Sequence, residues 1–172
     1  MKNIIVTIMI FSAIVIKSQV AIGKDILTNN SVSLEFSDTE NRGMILPYVE
    51  DKSGIVEDGT VIYDMTDKKV KYLKDGNWFD LSVDANGQAD AIIQGPDKIE
   101  KTTAKTAIGV NGATDTTQGI LVLTDTNKAM ILPKVASPHL NIINPSTGMM
   151  VYDTTKKQLA VYNGTVWSFW KP

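Results

Sequence analysis

The sequence predicts a mainly β protein: two tandem antiparallel β-meander repeats joined by a connector. Three observations carry this. Residues 148–170 alternate short aliphatic and aromatic runs with polar residues, which reads as three short strands and two tight turns. The same landmarks occur twice in one order. Ile22-Gly23 and Met44-Ile45-Leu46-Pro47 recur 86 residues later as Ile108-Gly109 and Met130-Ile131-Leu132-Pro133, and Gly59, Tyr63-Asp64 and Trp78 recur 89 residues later as Gly148, Tyr152-Asp153 and Trp167. Finally, Asn163-Gly164 is a strong hairpin signal, because a type I′ turn needs positive φ at both central residues.

Taken in order, residues 1–18 read as a secretory signal peptide. Lys2 is a minimal basic start, residues 4–16 form an apolar stretch broken only by Thr7 and Ser12, and Ser18 is a small residue before the expected cut. The apolar run is shorter than the roughly 20 residues that span a bilayer, so no membrane span is expected after cleavage. Residues 19–82 form β repeat 1. Its first turn falls at Asn29-Asn30-Ser31. Residues 32–36 alternate, with Val32, Leu34 and Phe36 on one face. A polar loop at 37–41 leads to a strand at 43–47, which Pro47 ends because it lacks an amide donor. Residues 48–58 are polar and acidic and read as a surface loop. Strands are expected at 60–64, 69–74 and 77–81, with turns at 65–68 and Asp75-Gly76. Residues 83–107 form the connector, with a strand at 91–94 and a helical turn after Pro96. Residues 108–172 form β repeat 2, with strands at 149–153, 158–162 and 166–170. The three-residue difference in spacing falls in the loop at 134–147, where insertions cost little.

Composition narrows function. The chain has 172 residues and no cysteine, with 17 bases against 19 acids. Removing residues 1–18 removes two lysines and leaves a net charge of −4. That argues against a nucleic-acid partner, which demands a basic face. Each repeat has about sixty residues, near the lower limit for an independent core, so the repeats are expected to pack on each other or on further chains.

The second repeat resembles a β repeat of secreted bacterial cell-surface and phage tail-fibre-like proteins. The likeness rests on Ile131-Leu132-Pro133, Pro145-Ser146-Thr147-Gly148, Tyr152-Asp153-Thr154-Thr155 and Tyr162-Asn163-Gly164-Thr165-Val166-Trp167. Repeat 1 is a looser copy, lacking the proline before Gly59. The opening Gln19-Val20-Ala21-Ile22-Gly23 is similar to the mature start of such proteins. The resemblance implies a secreted or surface-exposed bacterial module, structural or adhesive, without known catalytic residues. It also implies self-association or a protein partner, by analogy a homotrimeric fibre-like assembly.

No catalytic motif stands out, and no enzyme activity or cofactor is expected. His139 is the one histidine and has no nucleophile-elbow sequence near it. A single histidine excludes a histidine-cluster metal site, and the absence of cysteine excludes thiolate sites. Asp38, Glu40 and Asp125 lie in equivalent polar loops without the spacing of a calcium loop, so turn chemistry is expected there. Asp64 and Asp153 are a carboxylate pair in equivalent positions, for which turn capping is the expected role rather than glycoside hydrolysis. Asp115-Thr116-Thr117 and Asp153-Thr154-Thr155 resemble a bacterial O-glycosylation acceptor. The candidate contact residues are aromatic: Trp170, Trp167, Tyr162, Trp78 and Tyr72. Such side chains anchor protein interfaces and stack on sugar rings. A carbohydrate ligand is therefore the alternative to a protein partner. Trp170 has no tryptophan counterpart in repeat 1, which makes it the leading candidate.

Overall fold

The computed structural model describes residues 18–83, 86–91, 99, 101 and 103–171. The described chain is mainly β, as expected. Its strands are β1 (Val20–Ile22), β2 (Val32–Phe36), β3 (Met44–Ile45), β4 (Tyr48–Val49), β5 (Val61–Asp64), β6 (Lys69–Lys74), β7 (Asn77–Asp80), β8 (Thr106–Ile108), β9 (Leu121–Leu123), β10 (Ala129–Ile131) and β11 (Lys134–Val135). A short helix α1 (Pro138–Asn141) follows, then β12 (Met149–Asp153), β13 (Gln158–Tyr162) and β14 (Trp167–Trp170). The signal-peptide reading falls almost wholly outside the described residues. So does most of the connector strand, along with the helical turn after Pro96.

The antiparallel meanders form where the turn residues put them. β5-β6-β7 pair in order, with Asp64 opposite Lys69 and Lys74 opposite Asn77. β12-β13-β14 repeat this, with Asp153 opposite Gln158. Two details correct the sequence reading. The two-residue type I′ geometry belongs to Asp75-Gly76, at φ 51 and 69, and not to Asn163-Gly164. There Tyr162 faces Trp167 across a four-residue loop, because buried Asn163 turns its Oδ1 back onto the amides of Thr165 and Val166 at 3.0 and 2.9 Å. The second correction concerns residues 48–58. They are not all surface loop, since β4 lies there and pairs in parallel with β5.

Parallel pairing is the feature that the alternation pattern did not reveal. β4 runs beside β5, and β11 beside β12 in the matching register. β1 pairs with β2, and β8 with β9, both in parallel. β2 also takes β10 on its other side, so that sheet draws on both halves of the chain. β2 is consequently buried almost throughout, at Ser33 and Glu35 as well as Val32 and Leu34, and the expected one-faced alternation does not hold. Glu35 is buried with partners: Lys24 Nζ at 2.7 Å, and the Thr28 amide at 2.7 Å.

Among the described residues the core forms two clusters. Leu46, Tyr63 and Val70 meet Met150 and Val161 between the two meanders. Val135, Ile142, Met149, Val151 and Ala160 form the second, on the other face of β12-β13, with Tyr162 and Trp167 against it.

Candidate functional site

The two halves of the chain are joined by a compact set of contacts centred on Leu46-Pro47. Met44 and Ile45 pair antiparallel with Met150 and Met149. The Leu46 amide donates to Gly148 O at 3.0 Å, and the very next carbonyl, Pro47 O, accepts from the Tyr63 amide at 2.9 Å. One short stretch thus ties the β12 sheet to the β5 sheet. Proline suits the switch, since its fixed φ and missing donor end one ladder cleanly. Two tyrosines complete the joint. Tyr48 Oη donates to Thr147 O at 2.9 Å and Tyr63 Oη to Asn163 O at 3.0 Å. Their rings lie 5.4 Å apart. Burial, with Tyr48, Asp67 and Asp64 nearby, pushes the Tyr63 hydroxyl up to about 12, so it remains a neutral donor at ordinary pH. Gly148, at φ 72, sits close against both tyrosine side chains. A Cβ there would lie 3.2 Å from Tyr63 Cβ and 3.3 Å from Tyr48 Cε1.

The corresponding stretch in the second half is arranged alike but left open. Pro133 O accepts from the Tyr152 amide at 2.8 Å, as Pro47 O does from Tyr63. Yet Met130, Ile131, Leu132, Lys134 and Tyr152 line an open groove of about 430 Å³. Tyr152 is 36% exposed where its counterpart Tyr63 is 0%.

The five aromatic candidates do not form one surface. Tyr162 and Trp167 meet at 5.3 Å, and Trp167 continues to Phe169 at 6.5 Å. His139 is exposed and packs edge-on against Phe169 at 5.6 Å. Trp170 lies on the opposite face of β14. Its ring is 43% exposed, and its indole N–H donates to Leu81 O in the first half. Tyr72 stacks on Phe79 at 5.4 Å. Trp78 faces elsewhere, into a groove of about 530 Å³ with Leu73, Ile55, Val56, Glu50 and Lys52. Sequence reasoning missed Leu46, Tyr48, Tyr63 and Gly148. Leu46, Tyr63 and Gly148 have identical copies at fixed spacing and Tyr48 has none, but recurrence alone does not say which copy is covered.

The carboxylates serve turns. Asp153 Oδ1 accepts the amides of Ser137 and Thr155 at 3.1 and 2.9 Å. Burial pushes this carboxyl up, but the Ser137, Lys156 and Thr155 amides and Gln158 together hold it below the usual carboxylate range. Asp64 caps the Thr66 amide at 2.9 Å and pairs with Lys52 at 2.6 Å. Asp125 accepts the Val110 amide at 2.9 Å and pairs with Lys128. In the loop with the glycosylation-like pattern, the Thr117 amide donates to Asp115 at 3.0 Å, and Thr116 is exposed. Among the described residues, no three His, Cys, Asp or Glu side chains are grouped as a metal site. No described helix is long and apolar enough to cross a membrane.

Residues 107–171, which hold the open groove, match the model of a family described as a phage tail like trimerisation region. No curated protein and no solved structure shows significant similarity to the chain.

Proposed function

We propose that this chain is an exported, non-enzymatic structural module of the bacterial surface or exterior, whose second half assembles it into a homotrimer. The observation that carries the reading is the likeness of residues 107–171 to a phage tail like trimerisation region. The β architecture supports it: short strands, an open apolar groove and a joint between halves built from backbone pairing are the parts from which a multi-chain β assembly is made. Packing and aromatic contacts supply the mechanism, with adhesion to a partner as its outcome. The leader-like residues 1–18 support export.

Lysine-reactive cross-linking of the purified chain tests the assembly. A ladder that ends at three copies is expected at micromolar concentration. A lone monomer band would contradict the reading.

A glycan ligand has one observation in its favour, the Trp78 ring in a groove that also holds Glu50, Asp51 and Lys52. Binding on a glycan panel that is lost in Trp78→Ala would favour that second reading.

A further inference from the structure

Within the chain, the first half docks on the second through a face made of Met44, Ile45, Leu46, Tyr48 and Tyr63. The open groove is lined by Met130, Ile131, Leu132, Lys134 and Tyr152. These are, position for position, the second-half copies of that docked face. The difference lies at two positions: buried Leu46 and Tyr63 have as their copies the half-buried Leu132 and the 36% exposed Tyr152.

Backbone polarity agrees. The Ala129 amide donates to Ser31 O, the β10–β2 register shifts between Ala129 and Met130, and Leu132 lies just beyond that ladder. Leu46 gives its amide to Gly148 O. Among the described residues, no backbone carbonyl receives the amide of its copy, Leu132.

The matching acceptor is also open. Gly148 and Met150 correspond to Gly59 and Val61. The Leu73 amide donates to Thr60 O, which places the Val61 amide and carbonyl on the edge of β5 away from β6. On that edge β4 covers only Tyr63 and Asp64. Gly59 keeps the positive φ of Gly148, at 87, yet a Cβ there would meet nothing within 4 Å. The space bounded at Gly148 by Tyr63 Cβ and the Tyr48 ring is empty at Gly59.

We infer that the groove of one copy receives the Gly59–Val61 edge of a second copy of this chain. Met130 lies opposite Val61, as Met44 lies opposite Met150, and the Leu132 amide meets Gly59 O. Tyr152 Oη donates to Lys74 O, the counterpart of Asn163 O. Lys134 replaces Tyr48 and faces Asp58, the counterpart of Thr147, so a cation meets a carboxylate where a hydroxyl met a carbonyl. The contact is heterologous, groove to edge. Such contacts close into a ring when their rotation permits and otherwise grow as a fibre. Closure at three copies rests on the trimer reading given above.

The absence of native cysteine makes the test clean. Chains carrying Met130→Cys alone and Val61→Cys alone are mixed under mild oxidation. Residues opposed across an antiparallel ladder lie about 4.5–5.5 Å apart at Cα, within disulfide reach. The expected result is a disulfide heterodimer at least fivefold above the homodimers that either chain forms by itself. Heterodimer no more abundant than homodimer would overturn the inference, as would a disulfide within one chain in the doubly substituted protein. The wild type, cross-linked in parallel, separates the two readings. Trimer without preferred heterodimer leaves trimerisation standing on another surface, whereas a monomeric wild type removes both.

Discussion

Glu35 shows how one side chain holds the first sheet. It is 1% exposed in the middle of β2, where an isolated carboxylate would be costly. Burial pushes its carboxyl up, but Lys24 and the Thr28 hydroxyl and amide outweigh that and hold it down at about 2. Its folded pKa therefore lies below the unfolded value of 4.5. The stabilisation is complete above pH 4.5 and is lost as pH falls through 2. Glu35→Gln should cost about 1.5–3 kcal/mol near neutral pH, the usual worth of hydrogen bonds to a charged group. In urea melts across pH, its deficit against wild type should shrink between 4.5 and 2, and a deficit constant with pH would contradict the ion-pair account. Alternation correctly placed Val32 and Leu34 inside, but it placed Glu35 outside, because the Lys24 and Thr28 partners are tertiary. Asp153 was legible, since an acid ahead of a Thr-rich turn caps that turn wherever it lies. Asp153→Ala should cost about 2–3 kcal/mol, given its several bonds to amides, while Asp153→Asn, which keeps one acceptor, should cost less. Equal losses in thermal denaturation would contradict the capping role.

The strands of both meanders were legible to within a residue, because apolar runs bounded by Asp, Asn and Gly have few other solutions. The turns were less so. Asp-Gly and Asn-Gly carry the same signal, yet Asp75-Gly76 makes the two-residue turn and Asn163-Gly164 a longer one. Burial decides between them. Asn163 is fully buried, and both its Oδ1 and its carbonyl are used, the latter by Tyr63. The two glycines should therefore respond differently to alanine. Gly76 has open space around it, so Gly76→Ala should cost only the left-handed penalty of about 1–2 kcal/mol. At Gly164 the new Cβ would collide with the Gln88 carbonyl, and the loss should be larger. Melting temperatures of the two variants check this, with equal shifts as the contrary result. The parallel partners β4 and β11 were illegible for a simpler reason. Two residues next to a proline have no measurable period, and parallel partners can lie far apart in sequence.

Across the whole molecule, several links between the halves explain why neither is a closed unit. Leu46, Tyr63 and Val70 of one half share a cluster with Met150 and Val161 of the other. β2 is sheeted with β10, and β3 with β12. The repeat was plain in the sequence, but its consequence was not. The first repeat docks on the second, and the second repeat's own copy of the docking stretch lines the groove at Leu132 and Tyr152. The aromatic residues favoured at first sight are mostly spent on intrachain packing, Trp170 on Leu81 and Trp167 on the second cluster. The stronger candidate surface is a backbone edge with a methionine and two leucine-like side chains, which aromatic content does not flag.

The most direct test is the solution mass of the wild-type chain, starting at residue 19, by light scattering coupled to size exclusion over a hundredfold dilution. The account predicts three times the protomer mass, with dissociation only at the lowest concentrations. A protomer mass at every concentration would contradict it.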